Sequence, residues 1–193
     1  MSEIDRHLGV ALGDKVRSHD CTMCGKCCRW PGYVVLYPND LIRLAQGFNT
    51  SASVVVETYC QILRFGASDS EQLRLILRRT ADHIGCIFLS GNQCSVHTFK
   101  PLVCQAGPAG WIWIAHPDFF DYYLVHSPGF AQPTERLRST PDAEELFLDT
   151  WENELAARVC NDIPSLSHHY RISVTVLDNV QMVYLPGKEH VRE

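Results

Sequence analysis

Hydrophobic and polar positions follow the helical period in some stretches of this chain and the two-residue period of a strand in others. Residues 2–17 are patterned as a short helix that ends near Ser18-His19-Asp20. After Pro31-Gly32 the run YVVL is short and β-rich. Pro38, Asn39 and Asp40 then open a helix carrying Leu41, Ile42, Leu44 and Ala45 and stopping at Gly47, since proline suits a first turn whose N–H groups have no helical partner. A second helix is expected from Ser51 or Ser53 to about Leu63, with Val54, Val55, Thr58 and Ile62 on its apolar side.

Further along, Leu73, Leu75 and Leu77 alternate with Arg74, Ile76 and Arg78, which predicts a strand, although Ile76 breaks strict alternation. The segment GCIFLSGNQCSVHTFKPLVC has a strand-like start, a Ser-Gly-Asn turn and then Pro101, the pattern of a hairpin-like knuckle followed by a short helix. Residues 141–160 read as the clearest helix: Thr140 caps it, Pro141 takes its first position, and Leu146, Leu148, Trp151, Leu155 and Val159 share one side. Residues 171–177 and 180–185 read as two strands joined around Asp178-Asn179, a C-terminal β-hairpin. The expectation is a small single α+β domain over 1–193, with cysteine-rich loops organised around a metal centre in 20–130 and a helix-and-hairpin extension in 131–193.

Composition narrows the function classes. At 193 residues and 46% hydrophobic the chain can bury a core of its own, and its formal charge of −5 comes from scattered acids without a basic block, so nucleic acid is not an expected partner. The first residues lack the basic start, apolar run and small-residue cleavage site of a secretory signal, which predicts a cytoplasmic protein. No membrane span is expected, because even WIWIAHPDFFDYYLV is interrupted by His116, Pro117, Asp118 and Asp121. Nine cysteines are many for such a chain, and in a reducing cytosol metal ligation explains them better than disulfides.

The chemistry concentrates in CTMCGKCC. Two-residue gaps allow one turn of backbone to bring Cys21, Cys24 and Cys27 around one site, with Gly25 relieving the turn. Adjacent Cys28 diverges from Cys27 in regular structure, which leaves a bridging thiolate or a second metal open. Cys86, Cys94 and Cys104 form a second group around the Ser-Gly-Asn turn and Pro101. Cys60 and Cys160 stand apart in predicted helices among apolar neighbours and read as core. The same gaps serve both [4Fe-4S] clusters and zinc, so an iron–sulfur cluster and Zn2+ are both open, and Lys26, Arg29 and Lys100 are placed to offset thiolate charge.

CTMCGKCC followed by VVLYPNDLIRLA and GCIFLSGNQCSVHTFKPLVC resembles the CxxCxxCC (YkgJ-like) family of zinc- or iron-chelating proteins, over roughly 20–130. The resemblance implies Cys21, Cys24, Cys27, Cys28, Cys86, Cys94 and Cys104 as ligands. Where the family commonly carries a further cysteine, this chain reads His126-Ser127-Pro128-Gly129, so His126 is a candidate replacement ligand. Gln105 stands where the pattern usually has arginine. His97, three residues after Cys94, has knuckle spacing, but the resemblance suggests an aromatic position there.

The expected function is a metal-binding protein with a structural, redox or metal-handling role. The resemblance also implies an alternative, a cluster-dependent transferase related to flagellin lysine-N-methylase; the residues themselves offer no Gly-rich nucleotide turn and no catalytic triad or carboxylate pair. A third possibility is a zinc-stabilised interaction module in which Trp111, Trp113, Phe119, Phe120, Tyr122 and Tyr123 dock a protein partner, with burial in the core as the blander reading.

Overall fold

The computed structural model describes residues 21–29, 33–66, 71–81, 85–105 and 160–184. In chain order these form a 3-10 turn (Cys27–Arg29), α1 (Pro38–Phe48), α2 (Ala52–Tyr59), β1 (Cys60–Phe65), β2 (Gln72–Leu77), β3 (Leu89–Ser90), β4 (Gln93–Cys94), a second 3-10 turn (His97–Phe99), α3 (Leu102–Gln105), α4 (Ile163–Tyr170), α5 (Val174–Asp178) and β5 (Met182–Tyr184). The mixture of short helices and small sheets is the α+β class that the pattern predicts. Among the described residues no helix is long and apolar enough to cross a membrane.

Local chemistry sets the helix ends. Pro38 begins α1, and the Asp40 carboxylate turns back to accept the Tyr37 N–H at 2.9 Å. Asn49 ends the helix in the left-handed region at φ 53°, and the Thr50 N–H closes on the Ala45 carbonyl at 2.8 Å. Ser51 caps α2 by accepting the Val54 N–H.

Helix α2 is shorter than its apolar spacing predicts. The chain turns extended at Cys60 and runs on as β1, pairing antiparallel with β2 from Cys60↔Leu77 to Phe65↔Gln72. Ile62 and Leu63, expected on the helix, lie instead in the central strand, because pairing on both edges of β1 outweighs the local helical pattern. The sheet order is β2-β1-β5. On the far side of β2, the YVVL run lies alongside through a bridge between Val35 and Ile76, with Leu36 N–H to Leu75 O at 2.9 Å and Leu77 N–H to Val34 O at 3.0 Å.

This arrangement explains Ile76. Leu73, Leu75 and Leu77 face a large core with Leu36, Leu41, Val55 and Ile62, while Ile76 faces a second, smaller cluster with Val35, Tyr37, Leu63 and Leu102. A strand buried on both faces has no reason to alternate apolar with polar. Buried Arg74 sits on the second face, with its guanidinium over the Phe65 ring at 5.4 Å.

The expected C-terminal hairpin is not formed. Residues 174–178, read as part of a strand, are helix α5, with Leu177 buried; Asn179 ends that helix, its side chain donating to the Thr175 carbonyl at 2.9 Å. Of the second expected strand, β5 forms and pairs in parallel with β1, Ile62 opposite Met182. Among the described residues no strand lies beside the β-branched residues of 171–177, whereas the edge of β1 is taken by β5; β propensity expresses fit to a pleated neighbour.

Cys60 and Cys160 are both buried core residues, as expected, but neither is helical. Cys160 lends its carbonyl to the Leu73 N–H at 3.2 Å. The expected helix over 2–17, the rest of that over 141–160, the aromatic segment 111–123 and His126 lie outside the described residues.

Candidate metal centre

The first cysteine block is a tight coil. Met23 and Gly25 have positive φ, 53° and 72°, and the Arg29 N–H bonds the Gly25 and Lys26 carbonyls at 3.1 Å to close the turn that holds Cys27 and Cys28. A β-carbon on Gly25 would lie 2.4 Å from Arg29 Nη1, so glycine serves here both the backbone angle and the path of the arginine.

That arginine joins the first block to the second. Its Nη2 donates to the Gly91 carbonyl and, at 2.6 Å, to Asn92 Oδ1, both in the turn between β3 and β4. A backbone bond from Cys86 N–H to the Cys28 carbonyl, 2.8 Å, makes a second connection. The knuckle expected for 85–104 is present: β3 and β4 pair around Gly91, whose φ is 59°, and Ser95 folds back by both N–H and Oγ onto the Phe88 carbonyl.

Cys104 is brought in by a different device. It sits on α3, whose first N–H, that of Leu102, donates to Asp40 Oδ1 at 2.7 Å, while Leu102 packs behind the sheet with Ile76 and Leu63. Asp40, fully buried, thus ties the start of α1 to the start of the helix that bears a candidate ligand. Arg43 supports it, donating to Asp40 Oδ1 at 3.0 Å and to the Lys100 carbonyl at 3.4 Å. Gln105, in place of the expected arginine, also donates to the Lys100 carbonyl, at 2.9 Å.

Six of the seven expected cysteine ligands are electrostatically coupled. Cys28 feels the charge of Cys27, Cys86 and Cys104; Cys94 feels Cys21 and Cys27; and Cys104 feels Cys86, Cys27 and Cys94. Cys24 joins them spatially, because a surface pocket of about 20 Å³ is lined by Cys21, Cys24, Cys27, Cys28 and Cys94, beside Met23 and Asn92. Such a volume holds roughly one water-sized occupant. The adjacent thiols do not diverge: Cys28 donates a hydrogen bond to the Cys27 sulfur, which lowers Cys27 to about 6 and raises Cys28 well above the thiol range. Burial is the first cause that raises Cys86, Cys94 and Cys104; Cys104 keeps some surface exposure, but its thiol is densely surrounded.

The donor set suits a thiophilic metal. It is rich in sulfur and gathers from three chain segments, and Lys100 lies close enough to Cys27 and Cys94, and Arg79 to Cys86, to favour their thiolates. Among the described residues no three Cys, His, Asp or Glu side chains stand close enough to enclose an ion, so ligation requires the thiols to draw inward. His97 lies in the second 3-10 turn, and its Nε2 has no hydrogen-bond partner among the described residues. Sequence reasoning missed Asp40 and Asn92 as organisers of the site; Pro-Asn-Asp ahead of an apolar helix signalled a cap, not its long-range bond.

A family model described as "Putative zinc- or iron-chelating domain" matches residues 20–125. No curated protein and no solved structure matches the chain. The matched stretch spans more than half of the sequence and contains all seven clustered cysteines and their connections, so this chain belongs to the CxxCxxCC family of zinc- or iron-chelating domains.

Proposed function

We propose that this protein is a metal-binding cysteine-cluster protein in which Cys21, Cys24, Cys27, Cys28, Cys86, Cys94 and Cys104 supply the ligands, with His126 as a further donor, and that the centre has a structural or metal-handling role within a single domain. The observation that carries this reading is the convergence of thiols from three separated segments, held by the Cys86–Cys28 backbone bond, the Arg29 bonds to the β3–β4 turn and the Asp40 bond to α3. Thiolates crowded in this way repel one another, and a bound cation relieves that repulsion. All nine cysteines are free thiols, which suits a reducing, cytoplasmic compartment.

Anaerobic purification followed by metal analysis and visible absorption tests the reading. Stoichiometric zinc or iron is expected. A chain that comes through metal-free, and takes up neither ion when reduced and titrated, would remove it.

A further inference from the structure

The family model stops at residue 125, but the fold that carries the thiols does not. Residues 160–184 supply Leu166, Tyr170, Leu177 and Val180 to the larger core, β5 to the edge of β1, and the Cys160 carbonyl to the Leu73 N–H. Most of these contacts fill space or extend the sheet. One of them leads toward a cysteine.

Tyr170, the last residue of α4, is buried, and its hydroxyl donates to the Leu36 carbonyl. The Leu36 C=O and the Tyr37 N–H belong to a single planar peptide group. Tyr170 holds the oxygen of that group, and Asp40 Oδ2 accepts from its N–H at 2.9 Å. The other carboxylate oxygen, Asp40 Oδ1, accepts from Leu102 N–H at 2.7 Å, at the start of the helix that bears Cys104. Phenol, peptide group, carboxylate and helix start therefore form one series of hydrogen bonds. Leu36, Tyr37 and Asp40 are all fully buried, so water does not compete for it, and bonds in such a series polarise one another. Burial, with Cys160 and Asp40 nearby, holds the phenol well above the ordinary tyrosine range, so it stays a donor.

We propose that Tyr170 is a positioning residue of the metal centre, setting through the Leu36–Tyr37 peptide group and the Asp40 carboxylate where α3 carries Cys104. The proposal rests on the metal-binding reading and extends the centre beyond the matched stretch, into a segment that supplies no candidate ligand. Without the hydroxyl, the buried Leu36 carbonyl loses its donor and the peptide group shifts to find another; Asp40 and the start of α3 shift with it. A tyrosine that only filled the core would act differently. Losing its hydroxyl would leave every thiol as it was, or open all the buried thiols alike.

Tyr170→Phe keeps the ring and removes the bond, and the full reduced chain is the material for the test. In metal-free protein treated anaerobically with iodoacetamide and read by peptide mass spectrometry, Cys104 should be alkylated roughly fivefold faster in the variant. Cys86 and Cys94, held by the first block and the knuckle, should keep their rates, as should Cys60, which reports opening of the core. An unchanged Cys104, or equal acceleration of Cys60, would overturn the proposal. Val180→Ala trims the same core without touching Leu36; it should lower the urea midpoint and leave the ratio of Cys104 to Cys60 rates at its unaltered value, and a raised ratio there would also overturn it. Zinc-loaded Tyr170→Phe should release its metal to excess 4-(2-pyridylazo)resorcinol roughly threefold faster than the unaltered chain. Equal release would overturn the positioning role and leave metal binding standing; an unaltered chain that takes up no metal would remove both.

Discussion

Asp40→Asn is the most informative single substitution away from the cysteines. The Asp40 side chain is fully buried and accepts from Tyr37 N–H at 2.9 Å, Leu102 N–H at 2.7 Å and Arg43 Nη1 at 3.0 Å. Asparagine has nearly the same shape but replaces one accepting oxygen with an NH2 group. Whichever way the amide turns, a donor faces a backbone N–H, either that of Tyr37 or that of Leu102. An unsatisfied buried N–H costs about 1–3 kcal/mol, and the remaining bonds lose their charge assistance. The expected destabilisation is roughly 2–4 kcal/mol, read from urea unfolding of metal-loaded protein at fixed free zinc. Arg43→Met is the control: Arg43 is about a third exposed, so its ion pair is screened and its loss should cost under about 1 kcal/mol. Because Leu102 N–H starts the helix that bears Cys104, Asp40→Asn should also speed alkylation of Cys104 in metal-free protein, with Cys60 unchanged. A stability change below about 0.5 kcal/mol, or equal effects from the two variants, would refute the reasoning that Asp40 organises this region.

Three further outcomes follow from the packing and the titrations. Gly25→Ala should loosen the Arg29 bonds to the β3–β4 turn, since the new methyl would meet Arg29 Nη1 at 2.4 Å and the φ of 72° disfavours alanine; a loss of about 1–2 kcal/mol and faster zinc release are expected, and unchanged release kinetics would contradict the connection. Gly47→Ala would place a methyl 2.3–2.6 Å from the Phe99 ring, which itself packs edge-on against Phe48 at 5.2 Å, so overpacking of about 1–3 kcal/mol should appear in the unfolding midpoint. Burial raises Cys60 to about 12, so from its unfolded value near 9 upward the unfolded chain loses this proton first and stability falls with rising pH. Cys60→Val should flatten that fall by about 1.4 kcal/mol per pH unit between pH 9 and 11, and identical slopes in the two proteins would show that Cys60 does not contribute.

Much of the site was legible before any coordinates. The gaps in CTMCGKCC, the knuckle around Gly91 and the proline-led start of α1 are local features, and local chemistry alone produces them: a turn needs a residue tolerant of positive φ, and a helix start needs a cap or a proline. The same holds for β2, whose leucine alternation survives in the structure. Legibility failed where an element's identity depends on a distant neighbour. Residues 60–63 carry apolar spacing that serves a helix or a strand, and β2 and β5 decide for the strand. The segment 174–178 is rich in β-branched residues, yet with no strand beside it among the described residues α5 forms.

The sequence by itself determined the donors: how many thiols there are, that they fall into two blocks, and that zinc or iron chemistry suits them. Tertiary structure alone decided how they are brought together. Cys27 and Cys28 are neighbours in sequence but partners in a hydrogen bond, and Cys104, ten residues beyond Cys94, reaches the group because a carboxylate from α1 holds the first N–H of its helix. Ligand type is a property of single residues, carried wherever they are placed. Ligand grouping depends on distances between remote segments, and those are set only when two faces of β2 are buried and Asp40, Leu102 and Arg29 bring the three segments together.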